Sequence, residues 1–199
     1  MGMILVGEIA HPSPVASPDG RPWTIAQYRK MPEDGHRYEL IEGTLFMTPS
    51  PQLPHQKTLG LMHHWLCQQM EHGAAIGEVL IAPFDVYLGN AVVVQPDLLV
   101  LAPDRLHLLA NDGVHGAPTV VVEVASPGTA TYDRHDKLLA YAKAGVPEYW
   151  LVDPQGKTLE ILTLDNGGRF RTHALMTGPA EIRSLVLGPL PGPVSRFFP

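Results

Sequence analysis

The helical spacing of apolar residues occurs in two segments of the chain. In residues 55–73, HQKTLGLMHHWLCQQMEHG, helical spacing puts Leu59, Met62, Trp65, Leu66 and Met70 on one face, and residues 133–145, DRHDKLLAYAKAG, are amphipathic in the same way. Each segment ends at a glycine, Gly73 or Gly145, the residue that most often follows the last turn of a helix. Thr24, a favoured N-cap residue, opens WTIAQYRKM. The pattern therefore predicts two amphipathic helices and one short helix before them.

The remaining apolar positions form short runs rich in valine, isoleucine and leucine, which is typical of strands. YELIEGTLFMTP alternates around Gly43 and predicts a hairpin. Further predicted strands lie in EVLIAPFDVYLG, VVVQPDLLVL, TVVVEVAS, EYWLVD, TLEILTL, FRTHALM and SLVLGPL. Strands interleaved with helices predict an α/β fold in which a mixed β-sheet is flanked by helices.

Two regions of the chain differ in composition. Residues 1–22 contain four prolines and no helical or strand period, which predicts a flexible N-terminal arm. Residues 23–199 carry all the predicted elements and are of a length that forms one domain with its own core. The domain boundaries expected from sequence are therefore 1–22 and 23–199.

Composition limits the class of protein. Cys67 is the only cysteine, which excludes a disulfide framework, and no apolar run is long enough to span a membrane. We therefore expect a cytoplasmic protein with no membrane partner. The formal net charge is −6 with only 14 Lys and Arg residues. A nucleic-acid partner would thus depend on a local patch or on metal ions, since binding to phosphates normally needs many cationic side chains.

Two acidic residues interrupt apolar runs. Glu123 lies in TVVVEVASP and Asp97 in VVVQPDLLVL. A buried, unpaired carboxylate costs several kcal/mol or stays protonated, so two of them on neighbouring strands predict a shared cation. Hard divalent ions such as Mg²⁺ favour such oxygen sites. Taken singly, an aspartate after a proline is more often a turn residue, and a glutamate in a valine run can also be structural.

Lys137 is unusual for its helix. If Asp133 caps that helix, Lys137 lies about one turn from the positive end of the helix dipole, where a cation is disfavoured. It shares a face with Tyr141, so its stem can lie along the apolar surface towards the sheet. The alternative is that Lys137 pairs with Asp133 and Asp136 as ordinary surface charges. Even as a catalytic residue, Lys137 is expected to contribute little to stability, because it lies on a helix surface. Both interpretations remain open from helix position alone.

The ten histidines do not form a zinc motif. His63 and His64 are adjacent and point in different directions on a helix, and neither HExxH nor paired cysteines occur. VASPGTAT contains a glycine but no GxxxxGK pattern, which argues against a nucleotide-binding loop.

Four blocks of the sequence together resemble one family. RYELIEGTLFMTPSPQLPHQ, VQPDLLVL, VVVEVASPGT and DRHDKLLAYAKAGVPEYWLVDP resemble the Uma-type family of restriction endonucleases within the PD-(D/E)XK nuclease superfamily, over roughly residues 24–165. The resemblance implies a restriction endonuclease-like core and a DNA substrate. It also implies Asp97 and Glu123 as ligands of Mg²⁺ or Mn²⁺, with the Val124 carbonyl oxygen as a third ligand. Glu39 would be an additional acidic residue, and Gln95 and His55 would be auxiliary residues near the site.

The sequence departs from the superfamily pattern at one position. The pattern places lysine two residues after the second acid, where this chain has Ala125, and the resemblance implies that Lys137 replaces it from the following helix. Two functions remain. The first is a metal-dependent endodeoxyribonuclease with Asp97, Glu123, Lys137 and Glu39 as catalytic residues, which could act as a homodimer. The second is a non-catalytic module that binds nucleic acid or protein and retains the nuclease fold. In the first, Glu39 should face the site and Glu42 the solvent.

Overall fold

The structure is a computed structural model that describes residues 11–32, 34–72, 76–126 and 128–198. Its strands, in chain order, are β1 (Ser13–Val15), β2 (Arg37–Ile41), β3 (Thr44–Thr48), β4 (Glu78–Ile81), β5 (Val86–Tyr87), β6 (Val92–Val94), β7 (Leu98–Leu101), β8 (Leu109–Ala110), β9 (Gly113–His115), β10 (Val120–Val124), β11 (Glu148–Asp153), β12 (Thr158–Leu164), β13 (Phe170–Thr177), β14 (Glu181–Ser184) and β15 (Gly188–Pro193). The helices are α1 (Ile25–Tyr28), α2 (Leu53–Glu71), α3 (Ala130–Tyr132) and α4 (Leu138–Ala144), with a π-helical turn (Asp133–Lys137) and 3₁₀ turns (Pro103–Leu108 and Val194–Phe197).

The strands form two large sheets and a small hairpin. The six-stranded sheet has the order β13-β12-β11-β10-β7-β4 and is mixed, because β10 and β11 are parallel while the other pairs are antiparallel. The seven-stranded sheet has the order β1-β3-β2-β6-β5-β9-β8, and β14 pairs with β15 separately. The predicted α/β class with mixed sheets and flanking helices is therefore confirmed, although two sheets replace the single sheet expected from sequence.

The apolar core is divided between the faces of these sheets. One face of the six-stranded sheet packs on α2 through Leu59, Met62, Trp65 and Leu66, the residues whose helical spacing predicted a buried face. The opposite face packs on α4 and on the inner face of the seven-stranded sheet. A smaller cluster around Tyr28 covers the outer face of that second sheet. The space between the two sheets is thus mostly apolar, and polar groups within it require partners.

Local sequence signals define several element ends as expected. Thr24 caps α1 in a capping box with Gln27, and Gly145 ends α4 in the left-handed region at φ 79°. The hairpin turn between β2 and β3 consists of Glu42 and Gly43, which have φ angles of 50° and 80°, as a two-residue turn of this kind requires. The helix α2 ends at Glu71, and the predicted terminator Gly73 lies outside the described residues.

The second amphipathic helix begins earlier than the sequence predicted. It starts at Ala130, and α3, the π-helical turn and α4 follow one another without a break. Asp133 is therefore inside the helix and is not its cap. Lys137 is correspondingly further from the N-terminus, so the argument from the helix dipole does not apply to it.

Part of the predicted N-terminal arm forms a strand. Ser13–Val15 pairs with β3 in antiparallel register, and the Trp23 indole N–H donates to the Val15 carbonyl oxygen at 2.9 Å. Residues 1–10 lie outside the described residues. Within the described part of the chain, no helix has both the length and the apolar character needed to cross a membrane.

Candidate active site

Three acidic residues converge because strand alternation aims them at the same space. In β10, Glu123 alternates with Val122 and Val124, which pack towards α2, so its side chain points to the opposite face. Asp97 directly precedes β7, whose Leu98 pairs with Val122, and thus lies beside Glu123 and Val124. Glu39 enters from β2 of the other sheet. Asp97 and Glu123 therefore lie on adjacent strands, as predicted.

Asp97 is held from three directions. Its Oδ2 accepts hydrogen bonds from the Val124 backbone N–H at 2.9 Å and from His55 Nε2 at 3.0 Å, and Arg37 Nη1 lies 3.8 Å from Oδ1. Because these three groups come from different elements, β10, α2 and β2, the orientation of the Asp97 carboxylate is defined. Asp97 is therefore a buried residue that lines a cavity, and not a surface turn residue.

Lys137 lies among the other carboxylates. Its Nζ is 2.9 Å from Glu39 Oε1 and 2.9 Å from Glu123 Oε1, and 3.9 Å from Asp133 Oδ1. The Lys137 side chain is only 5% exposed, so the interpretation of Lys137 as a surface charge is wrong. The small effect of Lys137 on stability stays an untested prediction; burial now argues for a larger effect, because breaking a buried ion pair leaves uncompensated charge and costs about 3–5 kcal/mol.

The two carboxylate oxygens of Glu39 have different surroundings. Glu39 Oε1 accepts from the Gln95 backbone N–H at 2.7 Å in addition to Lys137, whereas Oε2 is buried and has no hydrogen-bond partner among the described residues. The Tyr141 hydroxyl donates a hydrogen bond to Glu123 Oε1 at 2.8 Å. As the alternation predicted, Glu42 points the other way and pairs with Lys143 at 3.0 Å, with both side chains mostly exposed.

The cavity in front of these residues opens between the two sheets and α2. Fourteen residues line it, namely Arg37, Glu39, Thr48, Pro49, Ser50, Pro51, His55, Asp97, Glu123, Ser126, Thr129, Tyr132, Asp133 and Lys137. Asp97, Glu123, Lys137, Glu39 and His55 were predicted from sequence. The sequence interpretation missed Arg37, which contacts Asp97, and Asp133, which was taken for a helix cap. A π-helical turn, a feature frequent at functional sites, buries Asp133 there, and no local sequence signal marks it.

Two predicted residues take part through the backbone. Gln95 donates its N–H to Glu39, but its side-chain amide donates to Asp85 at 2.9 Å, on the far side of β2, and does not line the cavity. Val124 donates its N–H to Asp97, and a role for its carbonyl oxygen as a metal ligand stays a prediction. His55 holds Asp97 through Nε2, while its Nδ1 is buried with no hydrogen-bond partner among the described residues.

Charge and burial shift the pKa values of the acids in opposite directions. Burial raises the pKa of Glu123 well above its usual value; Lys137 opposes this, and Asp133, Asp97 and Glu39 add to it. Burial opposes ionisation of Asp97 too, but His55, Lys137 and Arg37 outweigh it and hold the pKa of Asp97 below its usual value. The site therefore contains one firmly ionised carboxylate beside one that binds a proton more readily.

Burial and neighbouring charges also shift the pKa values of Asp133 and Lys137. Burial, only partly offset by Lys137, raises the pKa of Asp133 to about 7. For Lys137 burial favours the neutral amine, yet Glu123, Glu39 and Asp133 outweigh it and raise the pKa of the ammonium group. Lys137 is consequently a firmly charged cation.

The donor set suits a hard divalent ion in its chemistry. Mg²⁺ usually binds through one or two carboxylates and keeps several waters, and Asp97, Glu123 and the unpartnered Oε2 of Glu39 are oxygens of this kind. In residues 11–32, 34–72, 76–126 and 128–198, however, no group of three or more His, Cys, Asp or Glu side chains is already arranged around a metal position. Glu39 and Glu123 instead direct their Oε1 atoms at the Lys137 ammonium group.

The fold is similar to that of a solved protein described as a nuclease. A protein from Anabaena variabilis ATCC 29413, whose crystal structure is described as that of "a putative nuclease belonging to DUF820", aligns with a TM-score of 0.72 and 20% sequence identity, over 89% of this chain and 98% of that one. The family model Uma2, described as "Putative restriction endonuclease", matches residues 25–189. The chain therefore belongs to the Uma2 family, as its sequence motifs predicted. No curated protein matches it.

Proposed function

We propose that this protein is a metal-dependent endonuclease that hydrolyses phosphodiester bonds of DNA. The observation that carries the proposal is the convergence of Glu39, Asp97, Glu123 and Lys137, all buried, on one cavity between two sheets. Buried carboxylates of this number are costly unless a cation compensates them. Membership of a family described as restriction endonucleases supports the same reaction.

Asp97 and Glu123 are the residues that would hold Mg²⁺ or Mn²⁺, with Glu39 as an additional ligand. Such an ion, when bound, polarises a phosphoryl oxygen and lowers the pKa of an attacking water. The Val124 N–H and His55 keep the Asp97 carboxylate oriented, and Tyr141 does the same for Glu123. Preorientation of this kind removes the entropic cost of aligning ligands during each turnover.

Lys137 acts in this proposal as a permanent positive charge beside the phosphate. Its ammonium group is firmly protonated, so it suits the stabilisation of negative charge on the phosphoryl oxygens better than the removal of a proton from water. Arg37, partly exposed at the mouth of the cavity and near Asp97, is placed to contact a phosphate of the incoming strand. Guanidinium groups bind phosphate oxygens through paired hydrogen bonds.

A non-catalytic binding module is the second candidate. Two observations favour it: the net charge of −6, which weakens binding to phosphates, and the position of Lys137 between the carboxylates. In such a module the ammonium group would permanently replace a metal ion, and the site would be purely structural.

Nicking of supercoiled plasmid and of single-stranded DNA by pure protein, with Mn²⁺ and with chelator, separates the two candidates. The endonuclease predicts cleavage that needs the metal and falls by about 10²-fold in Lys137→Met. Lys143→Met is the matched control, because Lys143 forms an ion pair of similar length with Glu42 but is exposed. Cleavage unaffected by Lys137→Met would indicate a contaminating nuclease. Metal binding by the wild type without any cleavage would favour the module.

A further inference from the structure

The Lys137 ammonium group stands between two carboxylates that come from different sheets. It contacts Glu39 Oε1 of the seven-stranded sheet and Glu123 Oε1 of the six-stranded sheet, each at 2.9 Å. An ion shared by these two side chains would need the same space. Contacts of this length leave no room for a second cation between the same oxygens.

The buried carboxylates around this position explain why an ammonium group occupies it. Glu39, Asp97, Glu123 and Asp133 are all buried, and Lys137 is the buried cation that contacts three of them. Loss of the ammonium charge would leave carboxylates that repel one another in a medium of low polarity. Buried Glu39 still has an oxygen, Oε2, without a hydrogen-bond partner among the described residues, so the cluster has coordination capacity that Lys137 does not use.

We propose that Lys137 is a built-in counter-cation that competes with the divalent ion, so that the ion enters between Glu39 and Glu123 only when the ammonium group withdraws. The inference rests on the proposed function, since it concerns the same metal site. It implies that the protein folds stably without metal, because its own side chain neutralises the cluster. It also implies that metal affinity is weakened by the energy needed to displace Lys137, since a ligand that must exclude another group binds less tightly.

Metal binding by three proteins tests the competition: the wild type, Lys137→Met, and Lys143→Met as the exposed control. Mn²⁺ binding is measured by electron paramagnetic resonance and calorimetry, and the rise in melting temperature by titration with Mg²⁺. We expect Lys137→Met to bind Mn²⁺ at least tenfold more tightly than the wild type. Its melting temperature without metal should be lower and should rise more steeply with Mg²⁺, because the ion now compensates the carboxylates. Lys143→Met should match the wild type.

The outcomes separate this inference from the proposed function. If Lys137→Met binds Mn²⁺ no more tightly than the wild type, the competition is overturned while the metal site of the wild type stands. If none of the three proteins binds Mn²⁺ or Mg²⁺, both the metal site and the competition are overturned.

A measurement on the wild type covers the case in which Lys137→Met fails to fold. In protein labelled with ¹⁵N-lysine, the buried Lys137 ammonium group exchanges its protons slowly and gives its own signal, identified by its absence in Lys137→Gln or Lys137→Arg. Saturating Mg²⁺ should shift this signal towards that of exposed lysines. A Lys137 signal unchanged at metal saturation would show that the ion and the ammonium group do not share a position.

Discussion

Among the described residues, carboxylates are buried in two places that differ in how the negative charge is compensated. Glu148, at the start of β11, is fully buried and accepts hydrogen bonds from the Trp150 indole N–H at 2.9 Å and the Ser184 hydroxyl at 2.8 Å. The backbone N–H groups of Leu185 and Val186 complete its shell. Both oxygens are thus used by neutral donors, and Glu148 fastens the turn before β15 to the sheet.

The cluster of Glu39, Asp97, Glu123 and Asp133 differs from the surroundings of Glu148 in three respects. It is compensated by cations, it borders an open cavity, and Glu39 Oε2, His55 Nδ1 and Tyr132 Oη have no hydrogen-bond partners among the residues described. Native structures leave few buried polar groups unsatisfied, and those few often mark function. The two places therefore differ in more than burial: only the proposed active site combines several buried acids with polar atoms that have no partner among the described residues.

The largest expected effect is on catalysis, at Asp97. Asp97→Asn keeps the size of the side chain but removes the charge that would hold the metal and that pairs with His55 and Arg37. We expect Mn²⁺ binding to be lost and plasmid nicking to fall at least ~10³-fold, within the range for loss of a positioned catalytic group. Glu148→Gln, a matched change at the other buried acid, should retain the specific activity of the folded fraction. Equal losses in both variants would remove the distinction between the two places.

The second expected effect is on stability, at Glu148. Glu148→Ala leaves the Trp150 indole N–H, the Ser184 hydroxyl and the Leu185 N–H without their acceptor, while the Val186 N–H keeps Ser184 Oγ at 3.2 Å. Each unsatisfied buried donor costs about 1–3 kcal/mol, and we expect the free energy of unfolding to fall by about 3–5 kcal/mol in total. Urea unfolding followed by circular dichroism measures it. A loss below about 1 kcal/mol would mean that water replaces the lost acceptor and that Glu148 is not an anchor.

The third effect is a pH dependence that belongs only to the charged cluster. Burial raises the pKa of Asp133 to about 7, against an ordinary value of 3.8. Between these values the folded protein binds more protons than the unfolded chain, so this residue lowers the free energy of unfolding as pH rises from about 4 to 7, by up to about 1.4 kcal/mol per pH unit. Below about 4 both states are protonated and the contribution is constant.

Urea unfolding at several pH values, in the wild type and in Asp133→Asn, isolates this contribution as the difference between the two proteins. We expect the variant to lose less stability than the wild type over this range. Asp133→Asn also removes one of the charges that raise the pKa of Glu123, so the change at Glu123 acts in the same direction and adds to the difference. Parallel curves for the two proteins would contradict the burial of an ionisable Asp133.

The smallest expected effect is at Lys143. This residue pairs with Glu42 at 3.0 Å, nearly the distance of the Lys137 contacts, but its side chain is 67% exposed. Lys143→Met should change the free energy of unfolding by less than about 0.5 kcal/mol, because solvent screens an exposed pair and the ordering of both side chains offsets its attraction. A thermal melt beside Lys137→Met measures the contrast. Comparable losses at the two lysines would show that burial does not control their strength.

Several features followed from sequence alone because their causes are local. The spacing of Leu59, Met62, Trp65 and Leu66 predicted the buried face of α2, and the alternation around Glu39 and Glu42 predicted which of the two faces inward. Backbone geometry fixes these directions within a few residues. Two acids within apolar runs likewise predicted a shared polar site, because an unpaired buried charge is costly wherever the strands end up.

Other features were decided only by tertiary structure. Arg37 belongs to an ordinary alternating strand, and its approach to Asp97 depends on how the two sheets meet. Asp133 had the sequence features of a helix cap, whereas the structure buries it in a π-helical turn. Glu148 gave no sign of burial, since its partners Ser184, Leu185 and Val186 lie more than 35 residues further along the chain.

Lys137 illustrates the boundary between what the sequence determines and what only the tertiary structure decides. Its helix and its face followed from the sequence, because both depend on the period of a single element. Its partners did not, because Glu39 and Glu123 reach the ammonium group from different sheets. Periodicity determines which way a side chain points within its own element. Only the packing of separate elements determines what it meets there, and hence whether a lysine is a screened surface charge or a buried cation.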